Sequence, residues 1–164
     1  MTRKMYKSIV IPLLGIAIFT LSAFVKESAV SYKCMIQMMN YTGEKAYVVV
    51  SLIDPDGAYV KTLYVQGDDK EWFPDLKSWW KFSDGTNENV DAITGATVGN
   101  GQRNIISLGF DDSHIDSGYK VRFESAVENQ EYYAVDAEIE LHSATIREKV
   151  EGKGYIRFIR MIPN

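Results

Sequence analysis

The chain holds 164 residues, 46% of them hydrophobic and 24% charged, with 12% aromatics, one cysteine and a formal net charge of −4. This is enough for one packed domain and too little for two. The apolar content excludes general disorder, and the lone Cys34 excludes an intrachain disulfide scaffold.

Arg3, Lys4 and Lys7 precede an uncharged run from Ser8 to Val25 that contains Pro12 and Gly15. A basic start, an apolar run and a small-residue exit at Ser22-Ala23 form the pattern of a cleaved secretory signal peptide over residues 1–23. The alternative is an uncleaved anchor, since a run of this length can just span a thin bilayer. Cys34 lies beyond the run and follows Ser31-Tyr32-Lys33, which speaks against a lipoprotein. Residues 24–31 read as a flexible mature N-terminus and 32–164 as a single domain. Beyond residue 23 there remain 15 Lys and Arg against 22 Asp and Glu, a formal −7. Such a surface repels phosphate backbones, and no run of basic residues offsets it, so nucleic acid is excluded as a partner. The expected location is periplasmic or otherwise extracytoplasmic.

Past residue 30 the hydrophobic period is two. A strand is expected at 33–39. Tyr47 to Ile53 is apolar on both faces except at Ser51, as a central strand would be. Asp54-Pro55-Asp56-Gly57 supplies a turn, with glycine at the left-handed position, and Tyr59 to Val65 returns as the second arm of a hairpin. A strand follows at 104–110. Tyr119, Val121, Phe123, Ser125 and Val127 then alternate with Lys120, Arg122 and Glu124, and Val135, Ala137, Ile139 and Leu141 alternate with Asp136, Glu138 and Glu140. A last strand is expected at 154–162. The fold class is all-β: an immunoglobulin-like β-sandwich of about seven antiparallel strands with a long Trp-bearing loop or short helix. The antibody-type Cys…Trp…Cys core is missing, so the likeness is architectural.

The rhythm breaks between Gln66 and Gln102, a stretch that holds all three tryptophans, Trp72, Trp79 and Trp80. Asp75 is placed to cap a short helix through Leu76–Lys81. The helix either plugs an open end of the sandwich with a tryptophan or offers a tryptophan as a contact platform. Adjacent residues on a helix point about 100° apart, so one of Trp79 and Trp80 should pack inward while the other is partly exposed.

No catalytic constellation is present. The two histidines, His114 and His142, lack zinc-ligand spacing, and neither a nucleophile elbow nor a phosphate-binding glycine loop occurs. Asp111, Asp112 and Asp116 share one turn, but their spacing departs from a calcium loop and reads as a solvated turn. No metal site is expected. Cys34 reads as a small buried apolar residue.

Asp91-Ala92-Ile93-Thr94-Gly95-Ala96-Thr97 resembles the acceptor sequence of covalently flavinylated extracytoplasmic domains, Asp-x-x-Ser/Thr-Gly-Ala-Thr-x-Thr. In those domains the final threonine takes FMN through a phosphoester bond. Here that position is Gly99, which has no hydroxyl, so Thr97 would serve only in a shifted register. The plainer reading is a turn in which Gly95 has positive φ and Thr94 and Thr97 bond nearby backbone.

The Asp54–Gly57 hairpin, Phe73-Pro74-Asp75-Leu76…Trp79-Trp80, Val90–Thr97 and Gly109-Phe110-Asp111-Asp112…Ser117-Gly118-Tyr119 occur in this order. Together they resemble an uncharacterised family of predicted periplasmic proteins. The resemblance implies genes beside PepSY-type membrane proteins and flavin transferases, in clusters for iron uptake and electron transfer; it supplies no catalytic residues. The expected function is a non-enzymatic accessory protein that assists such a membrane redox or iron-reduction system. Its contact surface would use Trp79, Trp80, Asp75, Asp91, Thr94, Gly95 and Thr97. No cofactor is expected on this reading. The alternatives are a covalent FMN carrier through Thr97 and a generic surface-binding module.

Overall fold

Strand alternation sorts the chain into two sheets. A computed structural model describes residues 29–67 and 69–163, so the expected signal segment 1–23 lies outside the described residues. The strands are β1 (Ala29–Met38), β2 (Tyr47–Ile53), β3 (Tyr59–Gln66), β4 (Thr94–Gly95), β5 (Arg103–Asp111), β6 (Lys120–Ala126), β7 (Tyr132–Glu140), β8 (Lys149–Glu151) and β9 (Ile156–Pro163). One sheet has the order β5-β1-β9-β8 and the other β4-β3-β2-β6-β7, which makes a β-sandwich. Every expected strand is present. The short β4 and β8 are additional, and β4 pairs parallel with β3 where an antiparallel fold was expected. No helix among the described residues is long and apolar enough to cross a membrane.

Alternate residues of both sheets meet between them. Cys34 and Ile36 from β1, Val48, Val50 and Leu52 from β2, Ile106 and Leu108 from β5, Val121 and Phe123 from β6, and Ile159 and Met161 from β9 form the main core. Each such large side chain contributes about 1.5–3 kcal/mol on burial. Cys34 is fully buried, and desolvation pushes its thiol up to about 12. At one corner the two sheets are tied by the buried carboxylate of Asp136 in β7, which accepts backbone N–H groups from the turn between β8 and β9.

The hairpin between β2 and β3 closes as its residues dictate. Gly57 takes φ +88°, its N–H donates to the Asp54 carbonyl at 3.0 Å, and the Asp54 carboxylate accepts from Ala58 N at 2.8 Å.

All seven residues of β2 are buried because the sheet is covered on both sides. A second apolar cluster lies on its far face, where Tyr47, Val49, Val65 and Ala126 of the sheet meet Phe73, Leu76, Trp79 and Val90. These come from a 3-10 turn (Lys70–Asp75), the helix α1 (Lys77–Thr86) and the segment after it. The helix therefore lies against a sheet face and does not plug an end of the sandwich. It also runs further than the expected Lys81, ending at Asn87 in the left-handed conformation.

Candidate functional site

The tryptophan layer is built in two steps. Asp69 accepts from Glu71 N at 3.0 Å and starts the 3-10 turn, and Leu76 N closes it by donating to the Phe73 carbonyl at 3.1 Å. Asp75 thus ends this turn and does not cap α1. The helix cap position belongs to Leu76, whose side chain cannot accept a hydrogen bond. The sheet satisfies the helix instead: Ser78 N donates to Tyr132 Oη at 2.9 Å and Trp79 N to Glu124 Oε2 at 3.3 Å.

Trp79 is 0% exposed and Trp80 is half-buried, so the two adjacent indoles divide as helical geometry requires. The Trp79 indole N–H donates to Thr62 Oγ1 at 2.8 Å, and the Phe73 ring meets it edge-on with centroids 5.3 Å apart. The Thr62 hydroxyl passes its own hydrogen bond to Glu88, which also accepts from Thr62 N at 2.9 Å. Trp80 borders a groove of about 420 Å³ together with Lys70, Asn87, Glu88, Asn89 and Asp91. Lys70 and Asp91 form an ion pair across it at 2.6 Å, exposed enough that it contributes little to stability.

The remaining expected site residues separate from this groove. Thr94 Oγ1 donates to the Val90 carbonyl at 2.8 Å, as a turn residue would. Gly95 has no positive φ; it pairs in β4 with Gln66 of β3. Glycine leaves room there for the Tyr64 hydroxyl, which a Cβ would meet at 2.0 Å. Thr97 lines a second groove, of about 320 Å³, with Tyr47 and Trp72. Asp75 borders a third, of about 190 Å³, with Trp72 and Tyr132. Of the expected set, only Trp80 and Asp91 share a groove.

Beneath α1 sits a buried carboxylate that the sequence hides. Glu124 accepts from Tyr59 Oη at 2.5 Å and from the Tyr132 hydroxyl as well as from Trp79 N. Desolvation holds its pKa above the ordinary glutamate value, opposed by these hydrogen bonds and by Arg122. The same burial and the donated hydrogen bond raise the Tyr59 phenol and push that of Tyr132 up to about 12. The period-two pattern places Glu124 on a wet face with Lys120 and Arg122, which would hold only if nothing covered that end of the sheet.

The raised pKa fixes the sign of a pH effect. At pH values above the ordinary glutamate range, folded Glu124 keeps a proton that the unfolded chain has released, so stability falls as pH rises through this window and then levels off. Glu124→Gln should remove that part of the slope, read as the difference between the two proteins' urea unfolding free energies across acid to neutral pH. Parallel profiles would mean that Glu124 titrates normally.

The family comparison bears on the whole domain. A family model described as "Predicted periplasmic protein (DUF2271)" matches residues 29–158. No curated protein and no solved structure matches the chain. Because the matched span takes in every strand through β8 and the start of β9, together with α1 and all three grooves, the chain belongs to this family of predicted periplasmic proteins, whose function is unknown and whose location is outside the cytoplasm.

Proposed function

We propose that this protein is a non-enzymatic extracytoplasmic binding domain that docks on a membrane protein of a redox or iron-reduction system. The observation that supports this reading is Trp80. Its indole stands at the border of a groove rimmed by charges and amides, on a helix fixed to the sheet through Trp79 and Glu124. A partly buried tryptophan on a rigid support is a side chain that often anchors a protein interface. The choice of a redox partner rests on the sequence resemblance alone.

The test uses protein purified from the periplasm and a purified PepSY-type membrane protein. Trp80→Ala should leave the thermal transition cooperative and weaken binding by about 2 kcal/mol, roughly thirtyfold. Equal binding by the variant, or no binding by the parent protein, would overturn the proposal.

One observation favours the flavin-carrier reading as a second possibility. The Thr97 hydroxyl makes no hydrogen bond among the described residues and lines a groove with Trp72 and Tyr47, aromatic side chains of a kind that packs on a flavin ring, beside Glu44, Lys45 and Glu128. Intact mass after co-expression with a flavin transferase decides between the two readings. An added FMN phosphoester that disappears in Thr97→Ala establishes the carrier.

A further inference from the structure

Among the described residues, the outer face of the β5-β1-β9-β8 sheet carries no helix layer comparable to the tryptophan layer on the other sheet, and it lies apart from the three grooves described above. Since Cys34, Ile36, Ile106, Leu108, Ile159 and Met161 point into the core, the alternate residues of the same strands point outward.

The register lays these residues out in cross-strand rows. Ser107, Lys33 and Ile162 form one row; Ile105, Met35, Arg160 and Lys149 form the next; Arg103, Gln37, Phe158 and Glu151 form the third. Four cations thus share this face with four large apolar side chains, and Lys149 Nζ lies over the Phe158 ring at 5.5 Å. Ile105 is 58% exposed and Ile162 is 40% exposed. The face has two anions, Glu151, which pairs with Lys149 at 3.2 Å, and Asp111 at the far end of β5, which accepts from Ser113 N. A cationic face on a chain of net charge −4 is a local reversal of sign.

We infer that this outer sheet face, with Lys33, Arg103, Lys149 and Arg160 set among Met35, Ile105, Phe158 and Ile162, docks on the surface of an anionic lipid bilayer. Charge complementarity selects an anionic occupant. An open strand surface on which aliphatic groups sit beside cations suits a planar headgroup layer with a shallow apolar boundary. The family's periplasmic location supplies such a surface. In this pose the Trp80 groove, on the opposite side of the sandwich, is left open to a portion of a membrane protein that projects clear of the lipid.

Co-sedimentation of the periplasmic protein with vesicles tests this. Vesicles containing phosphatidylglycerol should bind it, pure phosphatidylcholine vesicles should not, and added salt should weaken binding. The double variant K33Q/R160Q should lower partitioning roughly thirtyfold, with an unchanged thermal transition as the folding control. Ile105→Ser should also weaken it, while Trp80→Ala should leave it unchanged, which keeps this result separate from the groove's role. Binding to neither vesicle, equal binding to both, or loss of binding through Trp80→Ala would overturn the inference. So would a face variant that loses an acidic protein partner while vesicle binding stays at the parent level.

Discussion

Asp136→Ala should lower the free energy of unfolding by about 3–5 kcal/mol. Asp136 Oδ1 accepts from Lys153 N at 2.9 Å and Gly154 N at 2.7 Å, while Oδ2 accepts from Ile156 N at 2.9 Å and Ser125 Oγ at 2.5 Å. Truncation leaves Gly154 N, Ile156 N and Ser125 Oγ without this acceptor, while Lys153 N keeps its bond to the Asp136 main-chain carbonyl, and each orphaned buried group costs about 1–3 kcal/mol. The loop cannot move away cheaply. A Cβ on Gly152 would lie 2.0 Å from the Ile156 carbonyl oxygen, and one on Gly154 would lie 2.4 Å from the Tyr133 ring, so the chain already wraps the carboxylate as closely as glycine permits. Asp136→Asn keeps the shape but turns an amide N–H toward a backbone donor, and should recover only part of the loss. Urea unfolding with an unchanged slope measures both; a cost below about 1 kcal/mol for the alanine variant would show that water replaces the carboxylate.

Trp79→Ala should cost a similar amount, about 3–5 kcal/mol, by a different route. The indole is the largest fully buried side chain, and it packs between Phe73 and the sheet while its N–H reaches Thr62. Its removal opens a cavity under α1 and loosens the support of the Trp80 groove. Trp79→Phe restores most of the volume but not the hydrogen bond, and should cost about 1–2 kcal/mol. Trp80→Ala, on the solvent side of the same helix, should cost about 1 kcal/mol or less. The three variants together separate packing from contact: denaturation midpoints should fall most for Trp79→Ala, whereas partner affinity should fall for Trp80→Ala without a matching loss of stability.

Much of the sandwich was legible because strand periodicity is a local signal. Tyr47–Ile53 reads as a central strand because both of its faces are covered, and Asp54-Pro55-Asp56-Gly57 reads as a turn because proline and glycine constrain backbone angles directly. The tryptophan layer was half legible. That Trp79 and Trp80 part company follows from helix geometry, but where the helix lands is a tertiary fact. The same fact hides Glu124, whose neighbours Tyr59, Trp79 and Tyr132 come from three separate segments. Asp75 misleads because Asp69 and Leu76 hold the two cap positions, and a 3-10 turn containing Pro74 precedes the helix without changing the apolar pattern. Gly95 misleads because glycine answers both to positive φ and to close approach, and only the position of Tyr64 tells which applies. Strands of two or three residues, β4 and β8, are too short to show any period.

The first strand of the domain lies in the interior of its sheet, with the last strand directly beside it: Tyr32 aligns with Pro163, and Met35 with Arg160. Pairing the two ends of a chain closes the longest possible loop, an entropic cost that must be met before the contact stabilises anything. The first sheet therefore cannot be completed until β9 is available. Until then its side of the core lacks Ile156, Ile159 and Met161. Such a topology makes the closing of this sheet a slow, non-local step compared with the hairpins of the other sheet, β2 with β3 and β6 with β7.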